Sequence, residues 1–573
     1  MITALLLAGL AHAQFEVEEH TLDNGMKFLL LPRSDSPNEV ALGWTAHVGS
    51  VNERPGITGI SHFFEHMMFK GTNTIGTTDA EKDAEYREEQ ERVMTQLRAL
   101  HHGQQYERFR LGEIDDPWDP FDDTDDMKAL RAELQDLEDA QRKTTAPNEF
   151  DAIYRDAGAV GLNAFTTADY TFYHLGLPSN RIELWCWMES DRLHDAVFRE
   201  FYAERSVVHE ERRQRTESSP TGLLDEQVES VFWSSSPYGW PTIGWPSDLN
   251  SYTLEDAEAY FDTYYAPNNL TGILVGDFDA EAVKPQLEKY FGTLARRPAP
   301  PPVVTLEVEQ LAERRLEGEC DCSDQVTIRY HTPPFGHPDD FALSTLGDLL
   351  NGRGGRLHRS LVDDQKVASS ALGFQRSRLL AGDFVFRATV SGDVKPEALE
   401  AAWYAELERL RNEPVGEREL QRVKNGIRAD LWRSLTTNEE ILEQLASADH
   451  LGSWRWIFDE PEAMAAVTPE DIQRVVNTWF KPENRTVAIY RRSASSTEDP
   501  AFTEATAGLP ANMKSMLKGQ LAELDGVDDA EGLALTIADM ESQVDQMPPD
   551  LVPAIEYLVE RARERLAELQ EGQ

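Results

Sequence analysis

"TLEDAEAYFDTYYAPNNLTGILV", Thr253 to Val275, is matched without a gap by "TPEDIQRVVNTWFKPENRTVAIY", Thr468 to Tyr490. Thr253/Thr468, Asp256/Asp471, Thr263/Thr478, Pro267/Pro482, Asn269/Asn484 and Thr271/Thr486 coincide at one constant offset. Each copy predicts the same local structure. Thr at an N-cap with Asp three residues on satisfies the free amides of a helix start, Pro-Asn makes a turn, and the β-branched run that follows makes a strand. A unit of this kind used twice predicts an α+β fold of two homologous α/β-sandwich halves, each a mixed sheet covered by helices. "RRPAPPPVV", Arg296 to Val304, is the natural linker, because consecutive prolines continue neither a helix nor a central strand. The expected boundaries are 14–295 for the first half, 296–304 for the linker and 305–493 for the second half.

A chain of 573 residues is too long for one ordinary core, which agrees with a multi-unit reading. Two segments stand outside the repeat. Between 78 and 148 the sequence is charged, with Val93, Leu97 and Leu100, then Met127, Leu130, Leu134 and Leu137, at helical spacing around "DDPWDPFDDTDD". This predicts an inserted helical hairpin. Its acidic turn lacks the glycine and the terminal glutamate of an EF-hand loop, so it is a solvated loop rather than a calcium site, and His101-His102 are expected to face solvent. Residues 494–573 form an acidic tail ending "IEYLVERARERLAELQ", expected to be helical.

With 55 Lys and Arg against 102 Asp and Glu, the formal charge is −47. Such a chain repels nucleic-acid backbones and anionic lipid, and favours basic or neutral partners. Its opening, "MITALLLAGLAHAQFEVEE", is an apolar run ending in Ala11-His12-Ala13, the small-x-small pattern of a signal-peptidase site, so residues 1–13 are expected to be a signal peptide. No Lys or Arg precedes the apolar run, which makes the n-region atypical and leaves an anchor open. No later stretch is apolar for long enough to span a bilayer. Cys186, in "ELWCWME", is expected in a helical core. Cys320 and Cys322 would share one face of a strand about 7 Å apart, which argues against their pairing and predicts free thiols.

The chemistry is concentrated in "GISHFFEHMMFKGT", Gly59 to Thr72. On a helix His62 and His66 are i and i+4, so their imidazoles leave one face and can share a tetrahedral metal, with Glu65 beside them. A catalytic zinc needs a third protein ligand from elsewhere. The candidate segment is "ERSVVHEERR", Glu204 to Arg213. Glu204 and Glu211 lie two helical turns apart and share a face, whereas Glu210 points about 100° away, so Glu211 is the expected ligand and Glu204 its supporting carboxylate. The alternative on these residues alone is a pair of hydrogen-bonded core histidines beside a wet helix face.

The His-x-x-Glu-His order resembles that of the pitrilysin/insulinase zinc peptidases, in particular members related to the mitochondrial processing peptidase and their bacterial counterparts. The likeness also rests on "GLNAFTTADYTFYHLGLPSN" from Gly161, on "ERSVVHEERR", and on "YYAPNNLTGILVGDFD" from Tyr264, and runs from Leu22 to about Arg492. It implies a single Zn2+ per chain held by His62, His66 and Glu211, with Glu65 as general base and Glu204 as supporting acid. The interval from His66 to Glu211 is longer than the family's, and the insertion accounts for the excess. The resemblance further implies that "LNAFTTADYTFY", a strand on its own pattern, is an exposed edge where a peptide substrate adds through the backbone of Asn163, Ala164 and Phe165.

In the second half, "FALSTLGDLLNG", Phe341 to Gly352, has apolar residues and glycine where ligands would stand. Family peptidases also grip substrate with an Arg and a Tyr from this half, and the best-matching element, "LVDDQKVASS", offers Val362 and Ser369 instead. Arg353, Arg356 and Arg359 are the local substitutes. A homologous chain, in a homodimer or heterodimer, is the other expected source. The reading is an exported zinc metalloendopeptidase, periplasmic or secreted, acting on small unfolded peptides. Its rival is a non-catalytic or partner-dependent subunit of a processing-peptidase-like assembly.

Overall fold

The computed structural model describes residues 15–493, 500–509, 511–525, 527, 530–543, 548 and 551–571. The expected signal peptide, residues 1–13, lies outside the described residues. Two units are distinguished, one holding both sheets and the other holding the C-terminal helices from 492 onward with residues 319–322.

The first sheet contains β1 (Glu18–Thr21), β2 (Lys27–Pro32), β3 (Glu39–Ala46), β4 (Val160–Thr166), β5 (Thr171–Pro178) and β6 (Leu270–Gly276), in the order β1-β2-β6-β3-β5-β4. The second contains β7 (Arg314–Cys320), β8 (Gln325–Thr332), β9 (Ala368–Arg376), β10 (Gly382–Val390) and β11 (Arg485–Arg492), in the order β7-β11-β8-β10-β9. Apart from β1 the two orders are the same: β2, β6, β3, β5 and β4 correspond to β7, β11, β8, β10 and β9. The first sheet is mixed, with β2 parallel to β6 and its other pairs antiparallel.

The helices of the first half include α1 (Ile60–Met67), α2 (Ala80–Leu100), α3 (Asp125–Gln141), α4 (Phe201–Arg212), α5 (Gly222–Phe232) and α6 (Leu254–Tyr264). Those of the second include α7 (Pro338–Leu350), α8 (Asn438–His450), α9 (Trp456–Ala466) and α10 (Pro469–Trp479). The repeated segments are α6 running into β6 and α10 running into β11. Both helices open with a reciprocal cap, Thr253 with Asp256 and Thr468 with Asp471. The two asparagines also do the same work. Asn269 Nδ2 donates to the carbonyls of Tyr264 and His47, at 2.9 and 3.4 Å, and Asn484 Nδ2 donates to those of Trp479 and His331, at 2.7 and 2.9 Å. Each asparagine thereby ties the end of its helix to the central strand beside it.

Both faces of the first sheet are buried, and alternate residues serve different cores. Phe28, Leu30, Val40, Leu42, Trp44 and Leu274 face α1 and its neighbours. Leu29, Leu31, Ala41, Ile273 and Val275 face the other way, where Ile441, Leu442 and Leu445 of α8 and Ile457 and Phe458 of α9 cover them. Second-half helices therefore complete a core of the first half.

The insertion is a pair of packed helices, α2 and α3, with Val93, Leu97 and Met127 buried. It leaves and returns at one point: Thr78 N–H donates to Thr144 O at 2.8 Å, and Ala146 N–H to Gly76 O at 3.0 Å. His101 departs from expectation, being buried with Nδ1 donating to Pro117 O at 2.9 Å and its ring 4.3 Å from that of Trp118. The acidic turn folds back and carries Trp118 under the hairpin, which covers the histidine.

The cysteine expectation is also overturned. Cys320 and Cys322 form a disulfide with their Cα atoms 5.2 Å apart. The strand β7 ends at Cys320 and the chain bends at Asp321 and Cys322, so the extended spacing on which the free-thiol reading rested does not apply. Cys186 is a buried free thiol. In the second unit, the helices Pro500–Ala505, Ala511–Asp525, Ala530–Gln543 and Val552–Glu571 bury Phe502, Leu517, Leu533, Ile537 and Leu558 in a small core of their own.

Candidate metal centre

The helix α1 starts at Gly59, whose φ of 87° belongs to the left-handed region; a Cβ there would stand 2.5 Å from Ile243 O. No side chain of its own caps the helix. Glu53 does so from a distance, accepting from the N–H groups of Gly59 and Ser61 at 2.7 and 2.8 Å. Burial pushes the Glu53 carboxyl up to about 8, against those hydrogen bonds. With Phe63, Phe64 and Met67 buried in the core, the opposite edge of the helix presents His62, Glu65 and His66 towards α4 and β4.

On α4, Glu204 and Glu211 face the histidines. His62 Nε2 lies 3.6 Å from Glu211 Oε1, and His66 Nε2 lies 3.2 Å from Glu211 Oε2. One ligand atom from each of the three residues falls within 4.8 Å of the others. Glu210 points away and pairs with Arg213 at 2.7 Å. His66 Nδ1 is 3.0 Å from Glu204 Oε1, and Lys70 Nζ is 2.5 Å from the second oxygen of Glu204. Burial works to raise the Glu204 carboxyl, but His66 and Lys70 outweigh it and hold it below its ordinary value. An ionised Glu204 can only accept, so His66 carries a proton on Nδ1 and Nε2 is the nitrogen that faces Glu211. The nearby His62 imidazole, helped by the charges of His66 and Arg215, holds Glu211 at about 2 against burial.

This donor set fits a zinc ion. Two imidazole nitrogens and a carboxylate converge on one point, the donor types and number that zinc takes from protein. Three such ligands would leave a position for water or substrate, and the Glu204 bond would fix the His66 imidazole as metal sites require.

Glu65 is anchored by a residue with no spacing signal in the sequence. Thr166 Oγ1, at the end of β4, donates to Glu65 Oε2 at 2.7 Å. Lys70 and Arg215 also escaped the sequence reading; Arg215 lies four residues beyond Glu211, a separation that signals contact on a helix, whereas Lys70 lies past the end of α1 and reaches Glu204 across the fold. The predicted single strand "LNAFTTADYTFY" is a hairpin instead: β4 ends at Thr166, residues 167–170 turn, and β5 starts at Thr171. Placed last in the sheet order, β4 is an edge. Asn163 and Ala164 line, with Glu65, His66 and Glu204, a cavity of about 310 Å3 whose far wall is formed by residues 145–151, where the insertion returns. Phe165 points elsewhere and packs on Phe172 and Tyr170.

Residues 29–90 match the insulinase family, peptidase family M16, and residues 251–427 match the domain described as the peptidase M16 inactive domain. A Helicobacter pylori relative, the zinc protease PqqE, is 25% identical over 500 residues, covering 86% of this chain and 97% of the relative. Both halves of the chain thus resemble peptidase family M16. A Bacillus subtilis relative, the uncharacterized zinc protease YmxG, is 21% identical over 469 residues, 81% of this chain and 96% of its own. The crystal structure of a protease from Helicobacter pylori superposes with a TM-score of 0.67 at 25% identity, covering 83% of this chain and all (100%) of that one. The periplasmic protease PqqL from Escherichia coli shares the fold, with a TM-score of 0.62 at 16% identity over 85% of this chain and 49% of that one.

Within the M16 fold the second half carries no copy of the centre. The helix α7 follows β8 as α1 follows β3, and it buries Leu343, Leu346, Leu349 and Leu350 where α1 offers ligands. Among the described residues, α7 contributes to no group able to hold a metal. No helix of the described residues is long and apolar enough to cross a membrane.

Proposed function

We propose that the chain is a zinc-dependent endopeptidase that hydrolyses small unfolded peptides. The observation that carries this reading is the convergence of His62, His66 and Glu211 with Glu65 held beside them by the end of an edge strand. Zinc, when bound, supplies a Lewis acid that makes a water acidic and polarises a carbonyl. The rest is done by this chain. Glu65 accepts the proton of the attacking water and passes it to the leaving amine, so that one carboxylate serves as base and then as acid. Glu204 keeps the proton of His66 on Nδ1. The exposed backbone of β4, around Asn163, Ala164 and Phe165, receives the peptide as an added strand, which gives affinity with little demand on side chains.

A bacterial envelope setting, periplasmic or secreted, is part of the proposal. It is supported by the apolar opening of the sequence and by the relative described as periplasmic. A second reading, dependence on a homologous partner chain for an Arg and Tyr clamp, is favoured by one observation. Arg356, a local substitute, is committed to Glu419 through two hydrogen bonds of 3.0 and 2.9 Å.

The test is a mass-spectrometric digest of a mixed panel of unfolded peptides by the mature chain and by Glu65→Gln, with the zinc content of each determined. Cleavage by the first alone at equal zinc supports the peptidase and its base. Zinc in both and cleavage by neither, reversed on adding a homologous chain, supports the partner reading; no zinc in either sinks the proposal.

A further inference from the structure

A second group of metal-type side chains lies on the other face of the first sheet. One nitrogen of His174 on β5 and one carboxylate oxygen each of Glu439 and Glu443 on α8 fall within 4.8 Å of one another. The two glutamates are i and i+4, so they leave α8 on one side and converge on the same point. Between them they bring together the sheet of the first half and a helix of the second.

The histidine separates this group from an ordinary acidic patch. His174 is 5% exposed, its ring stacks on Phe172 with centroids 5.1 Å apart, and its Nδ1 is buried without a hydrogen-bond partner. That atom points towards the glutamates, with Glu439 Oε1 at 3.9 Å, too far for a hydrogen bond. A buried ring nitrogen left unpaired is costly, and a third group normally satisfies it. The glutamates lack a counter-charge as well. Among the described residues no Lys or Arg forms an ion pair with Glu439 or Glu443, both of which are exposed.

We propose that His174, Glu439 and Glu443 bind a first-row divalent transition cation that stitches the two halves together. One imidazole and two carboxylates suit zinc or manganese, with the remaining positions taken by water at the exposed side. The location gives such an ion leverage over the substrate strand. His174 stands directly opposite Asn163 in the β4–β5 register, and Gly161, at a φ of +62° in the bulged start of β4, lies against the carboxylate of Glu439. The ion would fix the first turns of α8, the centre of β5 and the start of the edge strand as one body. This inference does not depend on the peptidase reading, because the site shares no residue with the His62, His66 and Glu211 centre.

The experiment strips the full chain with a chelator, reloads it with zinc, and measures zinc per chain and thermal stability. Glu439→Gln/Glu443→Gln is the test variant; both side chains are exposed, so the fold tolerates the change. Glu211→Gln is the reference. The wild-type chain is expected to take up two equivalents, the double variant one, and Glu211→Gln to keep the equivalent held by α8. The single change Glu443→Gln should weaken that equivalent about tenfold or more. Loading the second equivalent should raise Tm by a few degrees in wild type and not in the double variant. An uptake that is the same in the wild-type chain and in the double variant overturns the proposal. If Glu211→Gln alone fails to lose zinc, the first centre is misassigned and this one stands.

Discussion

His66 places its Nδ1 3.0 Å from Glu204 Oε1, and that bond decides which nitrogen of His66 faces Glu211. Lys70, on the far side of the same carboxylate, keeps Glu204 ionised and therefore an acceptor only. A neutral amide at this position could as easily donate, and the ring would lose its orientation. Glu204→Gln should therefore weaken zinc binding by about 10–100-fold. Competition with a chromophoric chelator reads this directly, and an unchanged affinity would show that Glu204 does not position the ring.

Glu65→Gln keeps an amide oxygen where Thr166 Oγ1 donates at 2.7 Å, so the side chain should stay in place. Zinc content and KM should hold while kcat falls about 10²–10⁴-fold, the usual worth of a positioned base. Loss of zinc together with activity would mean that Glu65 supports the centre rather than the proton transfer.

The edge strand makes a prediction about the substrate rather than the protein. If a peptide pairs with the backbone of β4, N-methylation at alternate positions near the scissile bond should lower kcat/KM about fivefold for each hydrogen bond lost, or about 1 kcal/mol. Methylation at the intervening positions should have little effect. Equal penalties at every position would argue against an added strand.

Asp383 is buried on β10 between Arg329 at 3.1 Å and Arg376 at 2.7 Å, while Glu229 of α5 meets Arg329 from the first half. Burial works to raise the Asp383 carboxyl, and the charges of Arg329, Arg376 and Arg378 overcome it and hold it at about 2. A folded-state value below the unfolded one of about 3.9 means stability that is present above pH 4 and lost as pH falls towards 2. Asp383→Asn strands buried guanidinium groups and should cost about 3–5 kcal/mol at neutral pH. Denaturant unfolding from pH 7 to 3 should show the two chains converging as the acid limb is reached.

What could be read from the chain depended on how local the signal was. The duplicated cap, turn and strand are set by neighbours within a few residues, so Thr253 and Thr468 announced both halves. His62, Glu65 and His66 are likewise fixed by one helix, and the face shared by Glu204 and Glu211 follows from helical geometry. The contact between Thr166 and Glu65 depends on how β4 sits in the sheet, for which no spacing exists in the sequence. His101 was misread because its burial comes from Trp118, carried there by a turn whose charges suggest only solvent. The disulfide was missed because a bend at Asp321 replaced the strand assumed between its cysteines.

The outer face of the first sheet, with Leu29, Leu31, Ile273 and Val275, is covered by helices whose apolar residues run from Leu435 to Phe458. The last strand of that sheet is finished at Gly276, so a chain leaving the ribosome has made all of the sheet roughly 160 residues before its cover begins. At about 5–20 residues per second the apolar face waits some ten to thirty seconds. Nascent chains arrested before Leu435 should therefore be held by chaperones, and those arrested well beyond Phe458 released. The order in which the polypeptide emerges thus makes its first half a client of the folding machinery until the second half has nearly been made.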